Sequence, residues 1–468
     1  MISSTLGWSA IALAADPDRA NAQQGEAGAA SLPAGEETAA PSTPPVPSAP
    51  PASPTGPSVA QASPPVLPPS PSPVQPSSSS LPERTGTPKG PLTISAGASW
   101  VSLYGTFDAN VENVRASGVV SQRTRASSNR SAFGIKGQTT LGIATAWLQM
   151  ESEVAIDAGG TSLASRNSGV GLELAALGTV MFGQWDSPYK YSSSKLDPFG
   201  DRTIGAYSAI MGGGGLTTAG NGGGIKSSFA RRVSNVVQYW SPNVAGFSGR
   251  LAWGTSEDDP ADASYHPMLG SMAVTYDNGP VYALAAAEYH RDFGYLVPNT
   301  GHDWAWKAGG SYTPVIGTTR NGGPSVGAFV EQITYGLDNP SYDRRNFNLF
   351  LACTYRLDAH ALSVSWSHKF VDTINGITFA NTQADHAGLR HVYSMSKPLE
   401  VYSFAVLLVN GTRQTKDFSN NPLAGIANGP TASTQGAVPV GTPTAPLRVS
   451  DLAGVTALGL GLGATYRF

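Results

Sequence analysis

Nine charged residues attract attention first: Lys136, Glu151, Asp186, Asp197, Asp201, Arg202, Arg231, Arg232 and Arg250. They fall on the polar rows of alternating segments, or in and beside the stretch 186–230. None has the spacing of a catalytic or metal-binding set. The seven histidines, at 266, 290, 302, 360, 368, 386 and 391, form no HExxH or comparable ligand pattern. No histidine pairs with a Ser or Asp at the spacing a nucleophilic enzyme would need. Gly224–Ile225–Lys226–Ser227 superficially resembles a phosphate loop, but the GxxxxGK(S/T) spacing is missing and no buried parallel strand precedes it. The single cysteine, Cys353, excludes an internal disulfide; it lies in the apolar row Phe347, Leu349, Leu351, Cys353, Tyr355, where packing is the expected role. No enzyme activity, metal or cofactor is expected. The chemistry left to the nine charges is electrostatic. Acidic and basic rows opposed across a water-filled space set up a transverse field that filters solutes without breaking bonds. The bland alternative is that they merely solvate loops and mouths.

Such charges need walls to hold them. The last residues, Leu458 to Phe468, alternate an apolar row (Leu458, Leu460, Leu462, Ala464, Tyr466, Phe468) with Gly459, Gly461, Gly463, Thr465 and Arg467. Period two marks a strand with one greasy face, and the glycine row reads as an open inner face. The same unit repeats from Trp100 onward, near 101–110, 131–140, 142–154, 169–176, 179–185, 232–241, 247–255 and 270–277, then 280–290, 304–312, 325–335, 346–356, 360–369, 388–395, 399–410 and 456–468. That makes sixteen strands, joined alternately by short turns such as Asn278–Gly279 and by long loops such as 186–230 and 411–455. An even number of strands with short turns at one end is the plan of an antiparallel transmembrane β-barrel, all-β in class, with both termini at the short-turn end. Sixteen strands leave room for an aqueous channel. Trp100, Tyr104, Trp240, Phe247, Trp253, Trp304, Trp306, Tyr466 and Phe468 lie near strand ends, as interfacial girdles require. A soluble β-sandwich with ordinary core aromatics is the alternative.

Composition agrees. The 468 residues include 54 glycines and only 13% charged side chains, and no apolar run reaches the length of a spanning helix. The net charge of −3 gives no case for nucleic acid. Residues 1–22 read as an atypical export signal: an apolar run with Ala-x-Ala sites at Ala12–Ala14 and Ala20–Ala22, but no preceding Lys or Arg. Residues 23–99 read as a disordered linker rich in Pro, Ser and Ala, since nineteen of the 36 prolines fall within 33–91. The barrel occupies 100–468.

Five motifs in order resemble the general trimeric porins of β-proteobacteria and their relatives. They are Val101–Ser102–Leu103–Tyr104–Gly105 with Asp108; Ser131–Ala132–Phe133–Gly134–Ile135–Lys136–Gly137; Gln149–Met150–Glu151–Ser152; Arg232 to Tyr239 with Ser241–Pro242–Asn243 and Gly246–Phe247–Ser248; and Tyr393–Ser394–Met395–Ser396–Lys397 with Tyr402. The resemblance implies an outer-membrane diffusion channel for ions and small hydrophilic solutes, with long extracellular loops and a third loop, here 186–230, folded into the barrel. It also implies a homotrimer in contact with outer-membrane lipid and lipopolysaccharide. Tyr466 and Phe468 would form the signal read by the barrel-assembly machinery. Two family arginines, expected to face the pore, are replaced by Ala132 and, where the family has Gly-Arg-Gln and this chain has Gly183–Gln184–Trp185, by Gln184, so the family's common anion preference does not carry over. Two other functions fit the sequence: a channel preferring a sugar or an organic acid, and an envelope anchor reaching peptidoglycan through the proline-rich linker.

Overall fold

Each alternating segment has one face that water will not solvate, and lipid cannot satisfy a free strand edge. A closed sheet resolves both problems. The computed structural model describes residues 92–213, 229–255, 267–291, 302–314, 323–336, 343–423 and 452–468. The export signal, the proline-rich stretch, Gly224–Ser227 and most of the 411–455 loop lie outside the described residues. So does the greater part of the two glycine runs after Met211.

The wall is a closed barrel of sixteen antiparallel strands. The first is Ser99–Ala116; the second comes in two pieces, Val120–Ser128 and Ala132–Leu141; the third is Ala144–Val154. The fourth is also split, Thr161–Ser162 and Ser168–Leu174, and Gly178–Asp186 and Arg232–Trp240 follow as fifth and sixth. Strands seven to eleven are Phe247–Thr255, Met268–Asn278, Val281–Arg291, His302–Tyr312 and Gly323–Gly336. Strands twelve to sixteen are Asp343–Leu357, His360–Lys369, Ala384–Ser394, Leu399–Asn410 and Thr456–Arg467. Every strand pairs with its neighbour in sequence, and the sixteenth closes on the first in a ladder from Thr106↔Arg467 to Ala116↔Ala457. No helix among the described residues is long and apolar enough to cross a membrane; the strands do the crossing.

The seam is staggered, so residues 99–105 of the first strand extend past the end of the sixteenth. Thr93–Ala96, inside the stretch read as linker, turns back at Gly97 (φ 58°) and pairs with Ser99–Ser102. An otherwise bare edge is thereby covered.

The second strand begins at Val120, eleven residues before the alternation suggests. Beyond Val111 the apolar and polar rows exchange places: Asn113 and Arg115 point outward, whereas Val114 and Ala116 are buried inside. Inside, they meet the apolar cluster that includes Ile204, Leu423, Leu452 and Val455. The exchange hides the strand from a search for one greasy face. The aromatic reading also needs correction at three positions, the first being Trp100, which lies on the same inner row as Ser102 and Lys136. Phe247, Trp253, Trp304 and Tyr466 stand on the outer face, but Trp240 is buried in the lumen and the Tyr104 hydroxyl donates inward to Glu151 (3.0 Å).

The glycine row of the last strand is not open. A Cβ on Gly461 would stand 2.3 Å from the Phe404 ring, one on Gly463 would stand 2.4 Å from Tyr402, and one on Gly459 would stand 2.2 Å from Ile204. The glycines are seats for rings and for a loop side chain. Gly461→Val should therefore cost about 1–3 kcal/mol through overpacking, read as a lower temperature for the heat-induced shift in electrophoretic mobility. An unchanged transition would mean that Phe404 can swing away freely.

Candidate functional site

The chain leaves the fifth strand and turns into the barrel at Ser187, whose hydroxyl accepts the Lys190 amide (3.2 Å) and caps the helix Pro188–Ser193. Proline in the first turn loses no helical hydrogen bond there. Single turns follow at Ser194–Leu196, Tyr207–Ala209 and Met211–Gly213. This tongue lies along the inner wall. The Tyr189 amide donates to Ser271 (3.1 Å) on strand eight, Tyr282 on strand nine donates to the Ser192 carbonyl (2.5 Å), and Lys307 on strand ten donates to Ser193 (2.6 Å). Glu331 on strand eleven accepts the Tyr189 hydroxyl (2.9 Å) and the Gly212 amide (2.6 Å). Farther along, Arg390 donates to the Pro198 carbonyl (2.7 Å), and His386 hydrogen-bonds the Ile204 carbonyl (3.0 Å). Phe199, Ile204, Tyr207, Ile210 and Met211 are buried in one cluster with wall residues Phe329 and Phe350. These buried polar groups of the wall each find a partner on the tongue, which lowers the free-energy cost of the insertion.

Between the tongue, strands one to six and the closing strands fifteen and sixteen runs a web of ion pairs. Asp201 bonds Arg130 (2.6 Å) and lies 3.7 Å from Lys190; Lys190 also reaches Asp186 (3.2 Å), which Arg232 approaches at 3.4 Å. Arg166 bridges Glu151 (2.5 Å) and Glu153 (3.6 Å). Arg202 reaches Asp108 (3.3 Å), Arg125 binds Glu112 (2.6 Å), and Arg467 binds Glu400 (2.9 Å). Seven bases (Arg125, Arg130, Arg166, Lys190, Arg202, Arg232, Arg467) thus meet seven acids (Asp108, Glu112, Glu151, Glu153, Asp186, Asp201, Glu400). The web consists of five groups that share no residue, and acids and bases interdigitate in it, whereas the sequence suggested opposed rows.

Of the nine residues singled out from sequence, Glu151, Asp186, Asp201, Arg202 and Arg232 meet in this web. Lys136 points inward from strand two, 5.2 Å from the centre of the Tyr104 ring. Asp197 turns back on its own loop, accepting the Phe199 and Asp201 amides (2.9 and 2.8 Å). Burial raises its pKa to about 7, against the opposing pull of those amides. Arg231 immediately precedes strand six, and burial lowers its pKa to about 10 against the attraction of Glu288. Arg250 does not face open lumen: its guanidinium lies 3.3 Å from the centre of the Tyr191 ring and 4.9 Å from that of Trp240. Arg130 and Arg166 were missed, as was Asp108 as an ion-pair partner. Where the family carries its arginines stand Ala132, which is buried, and Gln184, whose side-chain amide donates to the Ser165 carbonyl (2.8 Å). Trp185 packs with Trp147 (5.8 Å) and Trp240 (5.4 Å).

A family model described as Gram-negative porin matches residues 92–408. No curated protein matches the chain. Among solved structures, the chain is similar to the anion-selective porin from Comamonas acidovorans, with 19% identity, coverage of 79% of this chain and 100% of that one, and a TM-score of 0.62. It is similar to the trimer form of the in-vitro folded outer-membrane protein OmpT of Vibrio cholerae, with 18% identity, 80% and 100% coverage, and a TM-score of 0.53. It is also similar to OmpF of Salmonella typhi in complex with daunomycin, with 14% identity, 81% and 100% coverage, and a TM-score of 0.53.

Proposed function

The chain belongs to the Gram-negative porin family and is an outer-membrane channel for passive diffusion, and from that premise we propose that it discriminates only weakly by charge. The observation that carries this reading is the self-compensated web. Residues 99–468 agree with it: 29 bases less Arg19, Arg84 and Lys89 leave 26, and 32 acids less Asp16, Asp18, Glu26, Glu36, Glu37 and Glu83 leave 26. The channel filters by width, and no residue in it performs bond chemistry. Reversal potentials across a planar bilayer in a salt gradient should show modest ion preference. Asp201→Asn should shift that preference toward anions, because Arg130, with its side chain 28% exposed, loses its nearest counter-charge. Strong anion selectivity in the wild type would sink the reading and transfer the dominant role to Arg231, Arg232 or Lys136.

We propose further that the channel is a homotrimer. On the outer wall of strands one and two, Asn113 donates to Thr124 (2.8 Å) at an exposed position, with Arg115 two residues on. Lipid offers such groups no hydrogen bonds, whereas a second barrel does. Beside them runs the exposed face of Leu458, Leu460 and Leu462. Native mass measurement in mild detergent should give three chains per particle; a conducting monomer would refute this.

Phe468 exchanges both backbone hydrogen bonds with Gly105 (3.1 Å each), and its ring covers that glycine. We infer that the Tyr466–Phe468 ending serves as the assembly signal because it is also the piece that completes the seam. Contacts with lipopolysaccharide, and with peptidoglycan through residues 23–91, belong to the same proposal.

A further inference from the structure

On the short-turn side of the tongue, the tongue and wall enclose a recess of about 270 Å³. Four aromatic side chains line it: Trp147, Trp240, Tyr191 and Tyr282. The two indoles are stacked, with centroids 5.6 Å apart and planes within 14°. Gly171 lets Trp147 lie flat on the wall, since a Cβ there would stand 2.4 Å from the indole. Lys195, ion-paired with Asp277, forms the mouth, where the two side chains are 37% and 50% exposed. Glu173 adds a second acid to the lining. Thr179 and the hydrogen-bonded pair Ser248–Thr275 (2.9 Å) supply hydroxyls.

These groups select by chemistry. A hydrocarbon would leave the carboxylates and hydroxyls desolvated without partners. An organic anion would meet two acids and one already-paired base. A neutral polyhydroxylated ring satisfies both halves of the lining: its C–H face lies against indole and phenol, and its hydroxyls reach Asp277, Glu173, Lys195 and the Ser/Thr groups. The volume falls just below the range of about 300–1,000 Å³ usual for drug-sized ligands, which suits one ring and not a chain of them. We propose that this recess is a binding site for a single neutral sugar ring, so that the channel holds a sugar in transit on the short-turn side of its constriction. The proposal rests on the channel reading above.

The test uses the full chain in planar bilayers, with D-glucose as probe and sodium succinate as the anionic control. Glucose should lower single-channel conductance along a saturating curve, and succinate should not. Trp240→Ala should raise the half-saturating glucose concentration about tenfold, the loss of one good ring contact. Should that variant fail to assemble, Ser248→Leu decides the matter, because a leucine fills the recess from the wall and should remove saturation in channels that still conduct. A linear fall that tracks viscosity, saturation by succinate in place of glucose, or unchanged half-saturation in conducting Ser248→Leu channels overturns the site. A folded barrel that does not conduct at all refutes the channel reading instead. In that case tryptophan fluorescence titrated with glucose decides for the recess if quenching saturates, and against it if there is no response.

Discussion

Deleting the tongue should raise single-channel conductance roughly threefold or more, since a sixteen-stranded barrel without an inserted loop leaves a broad aqueous channel. The geometry of the deletion is favourable. The Ser187 amide bonds the Arg231 carbonyl (3.2 Å), and Asp186 sits opposite Arg232 in the ladder. Residues 188–230 can therefore be replaced by a short Asn-Gly turn that continues the hairpin. The wall groups that lose partners, among them Glu331, Lys307, Tyr282 and His386, then face water in the widened lumen, so their exposure carries little penalty. Ion preference should move as well. The deleted stretch holds Lys190, Lys195, Arg202 and Lys226 against Asp197 and Asp201. It removes four bases and two acids, and the shift should be toward cations. Conductance equal to the wild type would mean that the limiting width lies elsewhere, and a shift toward anions would mean that the web across the lumen does not set the field.

The barrel was legible in the sequence because each strand is two-faced by necessity: lipid on one side and water on the other enforce period two, and Leu458 to Phe468 show it plainly. Legibility failed where the inner face is not wet. At Val114 and Ala116 the lumen is filled by Ile204 and the leucines of the last loop, so the rows exchange and 111–130 looked like a loop. The constriction was harder to read, for a related reason. Arg130 and Arg166 stand at interruptions of their strands, Arg130 at φ 54° between the two pieces of strand two and Arg166 between the two pieces of strand four. At a break there is no alternation to say which way a side chain points. Arg250, by contrast, follows the alternation faithfully and still does not line open lumen, because Tyr191 arrives from a loop 59 residues earlier and covers it. Periodicity fixes the face of a strand but carries no information about what the loops bring to it.

Asp108→Ala should be the most destabilising single substitution at the seam, by about 3–5 kcal/mol, the range for leaving the partners of a buried charge uncompensated. The Asp108 carboxylate is fully buried and accepts four donors: Tyr402 Oη (2.5 Å) from strand fifteen, Thr465 Oγ1 (2.8 Å) from strand sixteen, Asn129 Nδ2 (3.1 Å) from the break in strand two, and Arg202 (3.3 Å) from the tongue. Its own backbone is pinned as well, the amide to Ser131 Oγ (2.9 Å) and the carbonyl to the Asn129 amide (2.8 Å). One side chain thus ties together the two strands that close the barrel, their neighbours on each side, and the inserted loop. Truncation removes the acceptor shared by a phenol, a hydroxyl, an amide and a guanidinium; Asn110 Oδ1 (2.8 Å) still accepts the Asn129 side-chain amide, but the Tyr402 and Thr465 hydroxyls lose the partner they donate to, and an unmet buried donor costs more than a made bond contributes. Asp108→Asn keeps the shape and one acceptor oxygen, so it should cost about 1–3 kcal/mol, and Thr465→Val, which removes one donor and leaves the carboxylate three, about 1 kcal/mol. Guanidinium unfolding of the folded barrel in detergent, followed by tryptophan fluorescence, separates the three. If Asp108→Ala unfolds at the same denaturant concentration as Thr465→Val, the seam is held by its backbone ladder alone and the carboxylate is only a passenger.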